Sequence, residues 1–206
     1  MYTPKFNQIT DRAILIETMQ RYSFAILFGP GADSAPAATH LPLIVKDEGE
    51  HGLIEGHFAK ANPHWRTLAE REVLTVFPGP HTYVSPSNYS EELSVPTWNY
   101  IAVHAYGKLQ LIEDEAGKEL LVTGLIAKHE PRYLDQWNGL SHGYRHTMLG
   151  NITGFRIMIE RVEGKFKLSQ NRKPEERDNV RRVQSVGSGD EPELAMWMER
   201  LGISAP

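Results

Sequence analysis

The chain contains no cysteine, no run of apolar residues long enough to span a bilayer and no dense block of lysine and arginine. The first absence excludes disulfides, thiolate metal centres and cysteine nucleophiles. The second excludes a transmembrane helix, which needs about 20 consecutive apolar residues. The third, together with a formal net charge of -4, removes any general attraction to a nucleic-acid backbone and makes direct DNA binding doubtful. The start, "MYTPKFNQITD", lacks the basic, apolar and small-residue order of an export signal, so a cytoplasmic protein is expected, in keeping with the missing cysteines. Also missing are a dinucleotide glycine fingerprint, a Walker lysine motif and a GxSxG elbow; "GPGADSAP" has glycines but no GK[ST] after them.

What is present is ordinary globular material: 206 residues, 40% hydrophobic and 23% charged. Only "SVGSGDEPE" resembles a linker, so the expected organisation is one domain over residues 1–182 with a helical appendage over 183–206. Seven β-branched or aromatic runs bounded by Gly and Pro read as strands: "SFAILFG", "AATHLPLIV", "HGLIEGHFA", "VLTVFPG", "NYIAVHAYGKLQLI", "GFRIMIERV" and "KFKLS". The last two read as a hairpin turning at "VEGK". A helix is expected from a Thr10 cap to about Gln20, with Ile9 and Ile14 as a staple, and a second from an Asn62 cap with Pro63 in its first turn. A third covers "EAGKELLVTGLIAKHE", and two more the tail, where Leu194, Trp197, Met198 and Leu201 form an apolar stripe that requires a partner surface. Helices interspersed among strands, without strict alternation, favour a mainly β, α+β barrel over a doubly wound sheet.

Several stretches could carry chemistry. Lys60 and His64 flank the start of the second helix, where free backbone N–H groups favour an anion; the plainer reading leaves Asn62 as a cap and the other two in solvent. The stretch "FPGPHTYVSPSNYSEELSVPTWNYIAVHAYG" reads as a long loop, with Trp98 and Tyr100 to pack a planar ligand and Ser85, Thr97 and Asn99 to hydrogen-bond it, or as a barrel corner whose aromatics fill the core. His142 and His146 have metal-ligand spacing, but Gly143 argues for a surface loop and no HExxH carboxylate accompanies them. "KFKLSQNRKPEER" ends a strand with Lys167, Ser169, Gln170, Asn171 and Arg172, more hydrogen-bonding groups than a strand end needs.

Taken together, "HFAKANPHW", "FPGPHTYVSPSNY", "VPTWNYIAVHAYG" and "VEGKFKLSQNR" resemble the FMN-binding negative transcriptional regulators of the PaiB type, from "MYTPKFN" to about Arg182. The resemblance implies an FMN-binding split β-barrel with peripheral helices, related at greater distance to pyridoxamine-phosphate oxidases, and a homodimer. It also implies flavin contacts. Lys60, Asn62 and His64, with His57 on the preceding strand, fall at the phosphate end. Ser85, Thr97, Trp98 and Asn99 fall on the ring or ribityl side, and Lys167, Gln170, Asn171 and Arg172 at the flavin or its adjacent pocket. No catalytic residue and no metal ligand is implied. The implied role is transcriptional repression, which the acidic balance directs toward an indirect route; the competing reading is a flavin-dependent oxidoreductase between NAD(P)H and a small acceptor. A haem pocket using His57, His64, His81 or His104 ranks last, since none has diagnostic spacing.

Overall fold

The computed structural model describes residues 1–204. Its eight strands form one sheet in the order β3-β2-β6-β7-β8-β5-β4, with β1 pairing to β8 outside that path. By contacts the chain divides into two compact units. Three long strands, β6 (Glu72–Val84), β7 (Thr97–Ile112) and β8 (Ile152–Lys167), each contribute one end to either unit.

The larger unit holds Arg12–Phe77 and His104–Val162. It opens with α1 (Arg12–Arg21), which begins two residues after Thr10 and buries Leu15, Ile16 and Met19. Strands β2 (Phe24–Pro30) and β3 (Pro36–Pro42) form an antiparallel hairpin in which Leu27 faces Thr39. The run "AATHLPLIV" is divided at Leu43, after which β4 (Ile44–Lys46) pairs with β5 (Leu53–Ala59). The turn between them needs Gly52, whose φ of 107° is open to glycine alone. Strand β5 then runs antiparallel to β8, from Leu53 opposite Met158 to Ala59 opposite Ile152. Its alternation sends Ile54 and Phe58 into the core, where Phe58 meets Phe155 with ring centroids 5.0 Å apart, and leaves His57 on the other face. Gly107 on β7 lies so near β8 that a Cβ there would stand 2.2 Å from the Met158 carbonyl oxygen.

The same unit carries α2 (His64–Leu68), α3 (Glu115–His129), α4 (Tyr133–Gly139) and α5 (His142–Gly150). Two expectations are corrected here. Helix α2 is assigned from His64, but Pro63 before it already has helical backbone angles and the Asn62 side-chain oxygen accepts from the His64 N–H as a cap does; what is corrected is the anion pull of the helix, whose five residues are too few for an appreciable macrodipole. The segment from His142 is a helix, not a loop: Ser141 caps it by accepting from the Tyr144 N–H, and Gly143 meets nothing within 4 Å, so its lack of a side chain costs propensity but no packing. His142 and His146 stack on that helix with centroids 6.1 Å apart, and His146 Nδ1 lies 2.7 Å from the Glu115 carboxylate.

The smaller unit gathers Met1–Asp11, Pro78–Val103 and the chain from Glu163 onward. "VEGK" is not a turn: β8 is continuous through Gly164 and Lys165, because β1 (Gln8–Ile9) pairs with these residues and supplies a ladder partner where a hairpin would have reversed the chain. The expected long loop shrinks to Ser85–Pro96, since β6 extends to Val84 and β7 starts at Thr97. Helices α6 (Pro174–Ser185) and α7 (Glu191–Arg200) complete the unit. The stripe predicted in the tail finds its partner within its own chain: Leu194, Trp197 and Met198 are wholly buried, and Trp197 meets Phe166 of β8 edge-on at 5.2 Å.

Candidate functional site

Alternation along β8 decides the character of its end. Phe166 and Leu168 point into the core, so Lys165 and Lys167 share the opposite face. Lys167 is half-buried, and its Nζ donates to Thr97 Oγ1 at 2.5 Å and to the Trp98 carbonyl at 2.5 Å. Lys165 is buried; its Nζ donates to the Tyr2 carbonyl at 3.0 Å and lies 5.2 Å from the centre of the Tyr100 ring. Arg172 places its guanidinium 3.6 Å over the Tyr89 ring. The charged groups that act on Lys167 are the two cations Lys165 and Arg172, and they add to the effect of burial, which is the larger cause holding its pKa below the usual lysine range.

Beside this cluster the chain reverses at Ser169, which takes a left-handed φ of 65°. Its hydroxyl donates to Asn99 Oδ1 at 3.0 Å. Asn99 is wholly buried, and its Nδ2 has no hydrogen-bond partner among the described residues. Thr97, Trp98, Asn99, Lys167, Ser169 and Arg172 thus belong to one local assembly in the smaller unit. Gln170 returns both ends of its amide to the preceding strand: Oε1 accepts from the Leu168 N–H at 2.7 Å and Nε2 donates to the Phe166 carbonyl at 2.5 Å. Asn171 is exposed, and Ser85 caps a short 3-10 turn by accepting from the Ser87 N–H at 3.2 Å. Trp98 is 52% exposed, with His81 and Tyr83 as ring neighbours at 6.3 Å and 6.1 Å.

The contacts that hold the Ser85–Pro96 loop were not read in the sequence. Glu176, in the first turn of α6, accepts from both the backbone N–H and the hydroxyl of Ser90, at 3.0 Å and 3.1 Å, which holds its pKa low. Lys173 reaches Glu91 at 2.5 Å. The signal lay in "KPEER", an acidic first turn after a proline, which reads as a helix start but not as a clasp.

The larger unit holds the other candidates, in the turn after β5. The Asn62 side-chain oxygen accepts from the His64 N–H at 3.0 Å, and Asn62 Nδ2 reaches Thr39 Oγ1 at 3.4 Å. Thr39 Oγ1 lies 2.8 Å from His64 Nδ1. If Asn62 donates to Thr39 and Thr39 to Nδ1, the imidazole proton is assigned to Nε2, which makes no hydrogen bond to the described residues. Burial pushes the pKa of His64 down, against the pull of the Gly29 backbone, and burial alone lowers that of His57, whose Nδ1 is buried and likewise without a partner among the described residues. Lys60 is exposed; its backbone N–H donates to the Asn151 carbonyl at 2.8 Å and its carbonyl accepts from Trp65 Nε1 at 3.2 Å. Thr39 was missed because nothing in "AATHLP" distinguishes it from any outward residue of a strand.

The strand-end assembly has a surplus of donors: a half-buried Lys167 ammonium held by neutral oxygens, and an Asn99 amide whose Nδ2 finds no acceptor among the described residues. A ligand that fits brings acceptors or negative charge, and FMN has both, in its phosphate and in the carbonyl-bearing edge of its ring. Fold and donor set therefore define a flavin-binding split β-barrel. Among solved structures, the flavocytochrome Anf3 of Azotobacter vinelandii shares the fold at a TM-score of 0.60 and 15% identity, over 80% of this chain and 72% of that one. An FAD and heme binding protein of Mycobacterium smegmatis does so at 0.60 and 17%, over 78% and 73%. Residues 1–161 match the family described as "Putative FMN-binding domain". The chain belongs to that family, whose cofactor is FMN. It is also 39% identical over 205 residues, 97% of either chain, to "Protease synthase and sporulation protein PAI 2" of Bacillus subtilis. No helix among the described residues is long and apolar enough to cross a membrane.

Proposed function

We propose that the protein is an FMN-binding negative regulator of transcription that acts through the state of its flavin and a partner, without gripping DNA itself, as a cytoplasmic homodimer. The observation that carries the flavin reading is the half-buried Lys167 ammonium, held by two neutral oxygens, Thr97 Oγ1 and the Trp98 carbonyl, at 2.5 Å each. An unneutralised charge of this kind is costly unless a ligand supplies the counterpart. The assembly of Thr97, Trp98, Asn99, Lys167 and Arg172, with Gln170 and Asn171 at its border, is assigned to the ring's polar edge. On separate grounds the turn bearing Lys60, Asn62 and His64, with His57 before it, is assigned to the phosphate: it offers an ammonium, an amide and an imidazole N–H. Ser85 keeps a place beside the ring through the loop it caps. When bound, FMN supplies the redox chemistry; the side chains orient it and set its electrostatics.

The name of the Bacillus subtilis relative ties that protein to protease synthesis and sporulation, and the regulatory reading rests on the resemblance to PaiB-type regulators; the indirect route is supported by charge: the net charge is -4, and of the arginines in "RDNVRRV", Arg181 is paired with Glu199 at 2.8 Å and Arg182 with Asn179 at 2.9 Å. The test has two parts. Purified protein is expected to show flavin absorbance after addition of FMN, and Lys60→Ala and Arg172→Ala to weaken it; no binding by a folded wild type overturns the reading. Tight, sequence-dependent binding of the protein alone to a promoter fragment at physiological salt overturns the indirect route.

A flavin-dependent oxidoreductase is the second reading, favoured by the same cations, which would stabilise negative charge on a reduced ring. Bleaching of the flavin absorbance by NAD(P)H, followed by reoxidation with a small acceptor, is its expected signature.

A further inference from the structure

Lys165 and Lys167 project from the same face of β8, Arg172 follows the left-handed reversal at Ser169, and Lys167 makes no ion pair with a carboxylate among the described residues. The Lys167 ammonium is not loose. Two oxygens, Thr97 Oγ1 and the Trp98 carbonyl, fix it at 2.5 Å each, and both come from the first residues of β7. Both are neutral acceptors, so they orient the charge without cancelling it. The third ammonium hydrogen is left for a ligand.

On the flavin reading above, we propose that Lys167 is the positioning cation of the site and makes the protein bind two-electron-reduced FMN more tightly than oxidised FMN. Oxidised FMN presents a neutral ring edge. Transfer of a hydride from a reduced nicotinamide moves two electrons and one proton onto the ring and leaves an oxidised nicotinamide; the product ring carries one negative charge at neutral pH, spread over its pyrimidine edge. A neutral edge gains a hydrogen bond from a charged donor alone, whereas an anionic edge gains a hydrogen-bonded ion pair at a half-buried position. The difference in affinity is the quantity by which redox state shifts the bound population.

The experiment measures the dissociation constant of apoprotein for FMN, oxidised and then reduced by dithionite under anaerobic conditions, in wild type, Lys167→Met and Lys167→Arg. Reduced FMN is expected to bind the wild type about tenfold more tightly or better, the order that charge on the acceptor adds to a hydrogen bond from an ammonium. Lys167→Met is expected to bring the ratio near one, and Lys167→Arg to keep most of it. Equal ratios in wild type and Lys167→Met, with FMN bound by both, overturn this proposal and leave the cofactor assignment standing. Absence of FMN binding in either redox state overturns both. A thermal melt of each apoprotein shows that the variants fold; should Lys167→Met not fold, Thr97→Val, which removes one of the two anchors, is expected to lower the ratio, and an unchanged ratio there overturns the proposal.

Discussion

At the end of β8, Lys167 is half-buried among cations and anchored by two neutral oxygens; in the turn after β5, His64 is buried, uncharged and joined to Thr39 and Asn62 in a hydrogen-bond chain. Both places keep polar groups away from water, by different means. The turn reduces its cost by neutrality, since an imidazole can give up its proton near neutral pH, and it reduces it further by internal pairing. The strand end cannot do so, because a lysine deprotonates only at alkaline pH and an arginine does not deprotonate at all. One region pairs polar groups with one another in a hydrogen-bond chain, and the other holds a half-buried ammonium against neutral oxygens. That asymmetry makes the strand end the better place to look for ligand dependence.

The largest effect that would break the comparison is expected from Trp197→Ala. The indole is wholly buried against Phe166, whose neighbours along β8 are the two lysines. Removing a buried aromatic of this size costs about 3–5 kcal/mol. Hydrogen exchange is the informative readout: protection is expected to fall around Lys165–Leu168 and Leu194–Met198, while the amides of β5 and α2 keep theirs. Uniform loss across the chain would show that the two units do not open separately.

The sequence made some of this legible and concealed the rest for physical reasons. Alternation in "GFRIMIERV" revealed the buried face of β8, and the stripe of Leu194, Trp197, Met198 and Leu201 announced a helix in need of a partner. What pattern could not show was pairing. "VEGK" has turn composition, and only the two residues of β1 opposite Lys165 and Gly164 make it strand. Likewise Gly143 lowers helix propensity, but the Ser141 cap and the pairing of His146 with Glu115 outweigh it. Residue types drew attention to Lys167 and Asn99, because an ammonium and an amide stand out against a strand, and the structure brings both into one hydrogen-bonded cluster with Thr97, Trp98 and Ser169. Residue types did not show that Gln170 would bond back to its own strand, nor that Thr39 would complete the chain to His64, since both contacts depend on tertiary placement.

A smaller effect is expected from Thr39→Val, which sharpens the comparison from the other side. It keeps the shape of the residue but leaves Asn62 Nδ2 and His64 Nδ1 without their common partner. Leaving buried polar groups unpaired costs about 1–3 kcal/mol, read as a lowered urea midpoint. The proton on the ring is then no longer held at Nε2, and nitrogen-15 chemical shifts of the imidazole report the change of tautomer. If the shifts stay as in the wild type, the direction assigned to the hydrogen-bond chain is wrong.

The smallest effects are pH slopes, and they separate the two regions by window. His57 and His64 have pKa values lowered from 6.5, chiefly by burial. Above 6.5 both folded and unfolded states leave them neutral and the folded state keeps its full stability. As the pH falls below 6.5 the unfolded chain takes up protons that the folded one refuses, so stability declines until the folded values are passed. Lys167 is lowered from 10.5 by burial and by Lys165 and Arg172. Its unfolded form is then the better proton binder over an alkaline window below 10.5, so stability rises with pH there and is reduced throughout the neutral range, where both forms are charged. Lys128 is lowered by burial as well and contributes in the same window, so the wild-type curve alone does not isolate Lys167. The difference between wild type and Lys167→Met does. It is expected to be flat through pH 6 and to slope only on the alkaline side, whereas the difference for His64→Phe slopes only on the acid side. Saturating two-electron-reduced FMN, kept anaerobic, is expected to remove the Lys167 share of the alkaline slope, because the anionic ring edge restores the affinity of Lys167 for its proton; it raises the Lys167→Met curve by binding but leaves its slope unchanged.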